Sequence, residues 1–164
     1  FDTAGRSMMG VKPADYKMFA AEIDLQGFGA NCGVGPAELI DSISYFDAAD
    51  QERFVIAKGN CGIPAYVDGK IHYHGTPELM AEYALIARDL GVRIIGGCCG
   101  TKPEHLAAMR AALESTPKGA PPSKQEITNR LGVAWKDLAE KPATDAKAGR
   151  ERRRRRGDRG RSAS

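Results

Sequence analysis

Apolar and polar positions in the middle of the chain repeat one pattern three times. A short apolar run ends in glycine, and a helix-period segment then opens on proline and an acidic residue. The first unit is a strand over 27–33 with a helix over 36–49, and the second a strand over 54–60, a longer loop and a helix over 76–90. The third is a strand over 92–97, the run Cys98-Cys99-Gly100, and a helix over 103–113. A partial unit precedes them: Phe1-Asp2, a loop, and a helix over 13–23.

Each helix start has a physical reason. Pro36, Pro77 and Pro103 fix φ where a missing N–H costs nothing, and Glu38, Glu78 and Glu104 meet the positive end of the helix dipole. Thr76 suits the N-cap. Leu79, Met80, Tyr83, Ala84, Ile86, Ala87 and Leu90 form one apolar stripe, which Gly91 ends. Val55, Ile56, Ile94 and Ile95 make the strands apolar on both faces, so a sheet covered on both sides is expected.

Strand–helix alternation predicts α/β structure with parallel strands, either an open sheet or a (β/α)8 barrel. Cys32 and the Cys98-Cys99 pair end non-consecutive strands, which a closed barrel would bring to one mouth. A full barrel takes about 250 residues. Three units and part of a fourth, in a chain of 164 residues opening on Phe1 rather than Met, predict the C-terminal half of such a barrel. That half should occupy residues 1–115. A linker rich in proline (117–122) leads to a capping box at Ser123–Glu126 and a short helix, a helical extension over 116–140. Residues 141–164 lack hydrophobic periodicity and are expected to be a disordered Arg-rich tail.

Charge is distributed unevenly. The whole chain is +3 formally, from 24 basic and 21 acidic residues. Eight arginines from Arg150 to Arg161 face only Glu151 and Asp158, leaving a mildly acidic body. A nucleic-acid reading therefore rests on the tail alone. Its run Arg152–Arg156 lacks interleaved aromatics and reads as a solvated tail rather than a base-reading surface. No apolar stretch approaches the roughly 20 residues that span a bilayer. With no secretory signal visible, the thiols of Cys32, Cys61, Cys98 and Cys99 are expected to be reduced, in the cytoplasm.

Three of these thiols carry the chemical signal. Cys32, Cys98 and Cys99 are flanked by Gly33, Gly97 and Gly100, which let the backbone turn sharply so that distant loops can converge. Three thiolates with an open fourth position would suit a catalytic zinc. Small buried cysteines at tight packing sites are the competing explanation.

Gly29-Ala30-Asn31-Cys32-Gly33 and Gly96-Gly97-Cys98-Cys99-Gly100-Thr101 together resemble the homocysteine S-methyltransferase family. Lys58-Gly59-Asn60 followed by Gly62-Ile63-Pro64 resembles that family's seventh-strand segment. The resemblance runs from Phe1 to about Leu113. It looks closest to the bacterial betaine–homocysteine methyltransferases, through the loop Tyr66-Val67-Asp68-Gly69 and the basic tail. It implies that Cys32, Cys98 and Cys99 ligate Zn2+, that the metal activates the homocysteine thiol without a general base, and that a small donor supplies the methyl group to give methionine. Betaine as donor rests on the resemblance, with S-methylmethionine and methyltetrahydrofolate as alternatives. A zinc-binding half barrel without turnover until its N-terminal half is supplied is the second reading. A homo-oligomer is compatible with either.

Other residues receive plainer expectations. Cys61 stands where the family has Ala or Ser and should be a small buried residue. Asn60 is placed at the substrate, where it either binds substrate or turns the backbone, and Asn31 is expected to orient the Cys32 loop. His72 and His74 read as a solvated loop rather than a metal pair, and His105 as an exposed residue of a first helical turn.

Overall fold

Pro13, Pro36, Pro77 and Pro103 each occupy the first residue of a helix in the computed structural model, which describes residues 1, 5–48 and 53–135. The helices are α1 (Pro13–Glu22), α2 (Pro36–Ile43), α3 (Pro77–Asp89), α4 (Pro103–Ser115) and α5 (Lys124–Leu131). A single 3₁₀ turn, Ser44–Phe46, follows α2 and ends at Asp47 in the left-handed region. The helix expected over 36–49 therefore stops early. Thr76 caps α3 by accepting the Leu79 N–H at 3.2 Å, and Ser123 and Glu126 form the anticipated capping box on α5.

The strands are β1 (Gly27–Cys32), β2 (Phe54–Gly59), β3 (Pro64–Val67), β4 (Lys70–Tyr73) and β5 (Ile94–Gly97). β1, β2 and β5 form a parallel sheet in that order, with Cys32, Gly59 and Gly97 in one row at the C-terminal edge. Strand–helix–strand alternation thus gives the parallel sheet that the pattern predicted. The described residues form no closed barrel, and the architecture is compatible with part of one.

Among the described residues, only one face of this sheet is covered. Phe28, Ala30, Val55, Ala57 and Ile95 point toward the helices and join a core with Ile40, Ile43, Met80, Tyr83, Ala84 and Ile86. Strand alternation sends Gly27, Gly29, Asn31, Phe54, Ile56, Lys58, Ile94 and Gly96 to the other face. There Phe54 is 41% and Ile94 49% exposed. Burial on both faces, as expected from the apolar strands, is not met within the described residues. Those side chains suit a second layer that these residues do not supply.

Between β2 and α3 the chain forms an antiparallel hairpin, where a loop was expected. Pro64 pairs with Tyr73 and Val67 with Lys70. Asp68 (φ 49°) and Gly69 (φ 77°) supply the two left-handed residues that a tight hairpin turn demands.

Phe1–Ala134 forms one compact unit. All the elements above belong to it. Its 116–119 segment is fastened to α3: Arg88 donates to the carbonyls of Thr116 and Pro117, and Asp89 accepts the Gly119 N–H at 3.0 Å. Ile127 and Leu131 of α5 pack against the core. The expected Arg-rich tail lies outside the described residues, and among those described no helix is long and apolar enough to cross a membrane.

Candidate metal centre

Parallel strands bring their C-terminal ends to one edge, and the sequence places its thiols there. Cys32 is the last residue of β1, and Cys98 and Cys99 follow β5 directly. Cys32 has φ 61° and Gly33 φ 79°, two successive left-handed residues that turn the chain sharply at the strand end. For a cysteine that conformation costs about 1–3 kcal/mol and persists only where the surroundings impose it. On the other side, the Cys98 N–H donates to the Gly59 carbonyl at 2.7 Å, one residue past the last paired row.

The three sulfurs converge although they come from the two edge strands of the sheet. Sγ of Cys32 lies 3.1 Å from Cys98 Sγ and 3.3 Å from Cys99 Sγ, and the vicinal pair is 3.9 Å apart. Four thiolates around a zinc ion at about 2.3 Å imply S···S edges of about 3.8 Å. The triangle is therefore of the size a single zinc ion spans, slightly contracted on two edges. Cys32 and Cys98 are half-buried and Cys99 is exposed, so a fourth position faces solvent. The donor set and its spacing fit zinc. Among the described residues no other group of three such side chains converges.

The thiols differ in acidity. Hydrogen bonds with Cys98 and Cys99, followed by burial, push the Cys32 thiol up to about 12. Burial opposes ionisation of Cys98 as well, but hydrogen bonds with Cys32, Asn31 and Cys99 outweigh it and bring that thiol below its ordinary value. Of these two, Cys98 is the readier to be a thiolate.

Asn60, at the end of β2, is 3% exposed and spans the two cysteine loops. Its Nδ2 donates to the Gly33 carbonyl at 2.9 Å, and its Oδ1 accepts the Cys99 N–H at 3.2 Å. Both amide atoms are thus engaged with backbone on either side of the sulfur cluster. Asn31 turns toward the site, its Nδ2 donating to Cys98 Sγ at 3.8 Å. Cys61 is fully buried and lies outside the converging trio, donating its thiol to the Gly75 carbonyl at 3.2 Å. Its backbone N–H donates to the Cys99 carbonyl at 2.9 Å, so it supports the loop without offering a ligand.

Two residues beside the site were not singled out by sequence reasoning. Tyr73, the last residue of β4, is half-buried, its ring lying against Gly100 directly after the cysteine pair. Lys58 lies on the open face one row below Cys32, its stem alongside Gly96. It is the one charged side chain among the eight strand residues of that face. His72 and His74 are exposed and join no ligand group. His105 departs from expectation: it is only 6% exposed, because its Nδ1 accepts the Lys102 N–H at 2.9 Å and folds the ring back over the start of α4.

Residues 1–113 match a family model described as homocysteine S-methyltransferase.

Proposed function

Because the chain belongs to the homocysteine S-methyltransferase family, we propose that it carries the metal half of a zinc-dependent site transferring a methyl group from a small cationic donor to homocysteine. The observation that carries this reading is the convergence of Cys32, Cys98 and Cys99, with an exposed side left for a fourth ligand. Zinc, when bound there, supplies the positive charge that keeps a substrate thiol ionised near neutral pH.

The chain's own residues account for the rest. The left-handed turn at Cys32–Gly33 and the vicinal pair after β5 hold three sulfurs without a flexible linker. Asn60 fixes the two loops against each other, which supports a positioning role for it beside the substrate site. Lys58 offers a cation to the carboxylate that homocysteine and betaine both carry. In the transfer, the homocysteine sulfur forms a bond to the methyl carbon as the donor's own bond to that carbon breaks. The bonding pair leaves with the donor's amine or thioether, and the thiol proton has already passed to solvent. Contacts to the substrate amino group and to the donor are assigned to further βα units flanking β1 and β5, where the sheet face is open.

The test joins metal analysis to turnover. The full chain should bind one zinc, and Cys98→Ala should lose it. Supplied with complementary N-terminal βα units, the chain should form methionine from homocysteine, with betaine, S-methylmethionine and methyltetrahydrofolate offered separately to identify the donor. Full zinc content in Cys98→Ala, or metal-free turnover, would overturn the proposal.

A further inference from the structure

Neighbouring residues of a strand point to opposite faces, yet Asn31 and Cys32 both reach the sulfur of Cys98. Cys32 Sγ lies 3.1 Å from it and Asn31 Nδ2 3.8 Å. The left-handed φ of 61° at Cys32 breaks the alternation at the last residue of β1. Asn31 itself stays on the open face of the sheet, in one row with Lys58 of β2 and Gly96 of β5. Lys58 rests its stem beside Gly96, and Cys98 follows two residues past that glycine. One strand end thus supplies a candidate ligand, Cys32, together with a donor to a second ligand that follows the opposite edge strand.

Chemistry fixes the direction of this contact. A metal-bound thiolate carries no hydrogen and can only accept, and of the two ends of a carboxamide only the nitrogen donates. We propose that Asn31 is a positioning residue of the metal centre, its Nδ2 donating to the Cys98 sulfur and holding that ligand toward Cys32. This rests on the reading that Cys32, Cys98 and Cys99 hold the metal. It extends the role of Asn31 from its own loop to the opposite one. A hydrogen bond to a metal-bound thiolate stabilises the sulfur lone pairs and reduces their donation to the ion. The ion is then more able to polarise a fourth, substrate sulfur.

Cobalt(II) reports on this directly, because its sulfur-to-metal charge-transfer band follows sulfur lone-pair energy. The full chain is titrated with cobalt and then competed with zinc, beside Asn31→Leu, Asn31→Asp and a control, Asn129→Leu, at an exposed position of α5. Both replacements at Asn31 keep the branched shape and lack the N–H, one without a charge and one with it. Each should bind one cobalt with the charge-transfer band displaced to longer wavelength, and Asn31→Leu should hold the metal about ten-fold more weakly. Asn129→Leu should match the unmodified chain. If Asn31→Leu fails to fold, the band of Asn31→Asp decides. A band unmoved in the folded variant would overturn the role of Asn31, whether or not affinity falls, because a merely structural residue weakens binding without touching sulfur energy. A wild-type chain without a thiolate band would sink the metal-site reading, and the role of Asn31 with it.

Discussion

The Tyr83 hydroxyl accepts the Gly59 N–H at 3.1 Å, joining the middle of α3 to the last residue of β2. Tyr83 is fully buried, and burial raises its phenol well above the ordinary value, with the Gly59 bond pulling the other way. Tyr83→Phe leaves a buried N–H unsatisfied and should cost about 1–3 kcal/mol, measured by urea unfolding. The pH dependence is equally specific. The unfolded phenol ionises near pH 10 while the folded one keeps its proton, so the folded state loses stability as pH rises above about 10. The difference between wild type and Tyr83→Phe should shrink over that range, and a difference independent of pH would contradict the assignment.

Asn60→Ala removes the bridge between the two cysteine loops, leaving the Gly33 carbonyl and Cys99 N–H without it. All three sulfurs remain, so metal should still bind, about 10- to 100-fold more weakly by chelator competition. Unchanged metal affinity with a raised KM for homocysteine would instead give Asn60 the direct substrate contact read from the sequence.

Cys61→Ala should retain zinc, because its sulfur points to the Gly75 carbonyl and three thiolates already complete the protein's share of a catalytic zinc site. Stability should fall modestly, since the site is fully buried. Elemental analysis of the purified variant decides it: loss of metal would mean a wrong ligand set.

Lys58→Met should leave zinc content unchanged and raise the KM for a carboxylate-bearing substrate in the complemented enzyme. Steady-state kinetics against homocysteine and betaine in turn will show which carboxylate the lysine meets. Unchanged KM values for both would remove Lys58 from the site.

Much of this was legible because the local signals were strong. Proline at the first helical position marked four helices, and glycine-terminated apolar runs marked the three parallel strands. Cys32, Cys98 and Cys99 were legible as a group through their glycine neighbours. The β3–β4 hairpin escaped because Ile71-His72-Tyr73-His74 has little hydrophobic contrast, although Asp68-Gly69 carried a turn signal. His105 was misplaced because a side chain that caps its own helix is buried by a backbone contact, not by apolar periodicity. The bridging geometry of Asn60 depends on two loops remote from it in sequence, and no local pattern encodes that.

The sulfur cluster also has a consequence for chain topology. Cys32 and Cys98 are 66 residues apart, with the central strand β2 between their strands. An ion shared by them would act as a cross-link and shrink the unfolded ensemble. For a loop of this length the chain-entropy model gives an effect on the order of 4 kcal/mol. Chelation should therefore lower the melting temperature of the whole Phe1–Ala134 unit cooperatively, with β1 and β5 losing amide-exchange protection together although they share no hydrogen-bonded ladder.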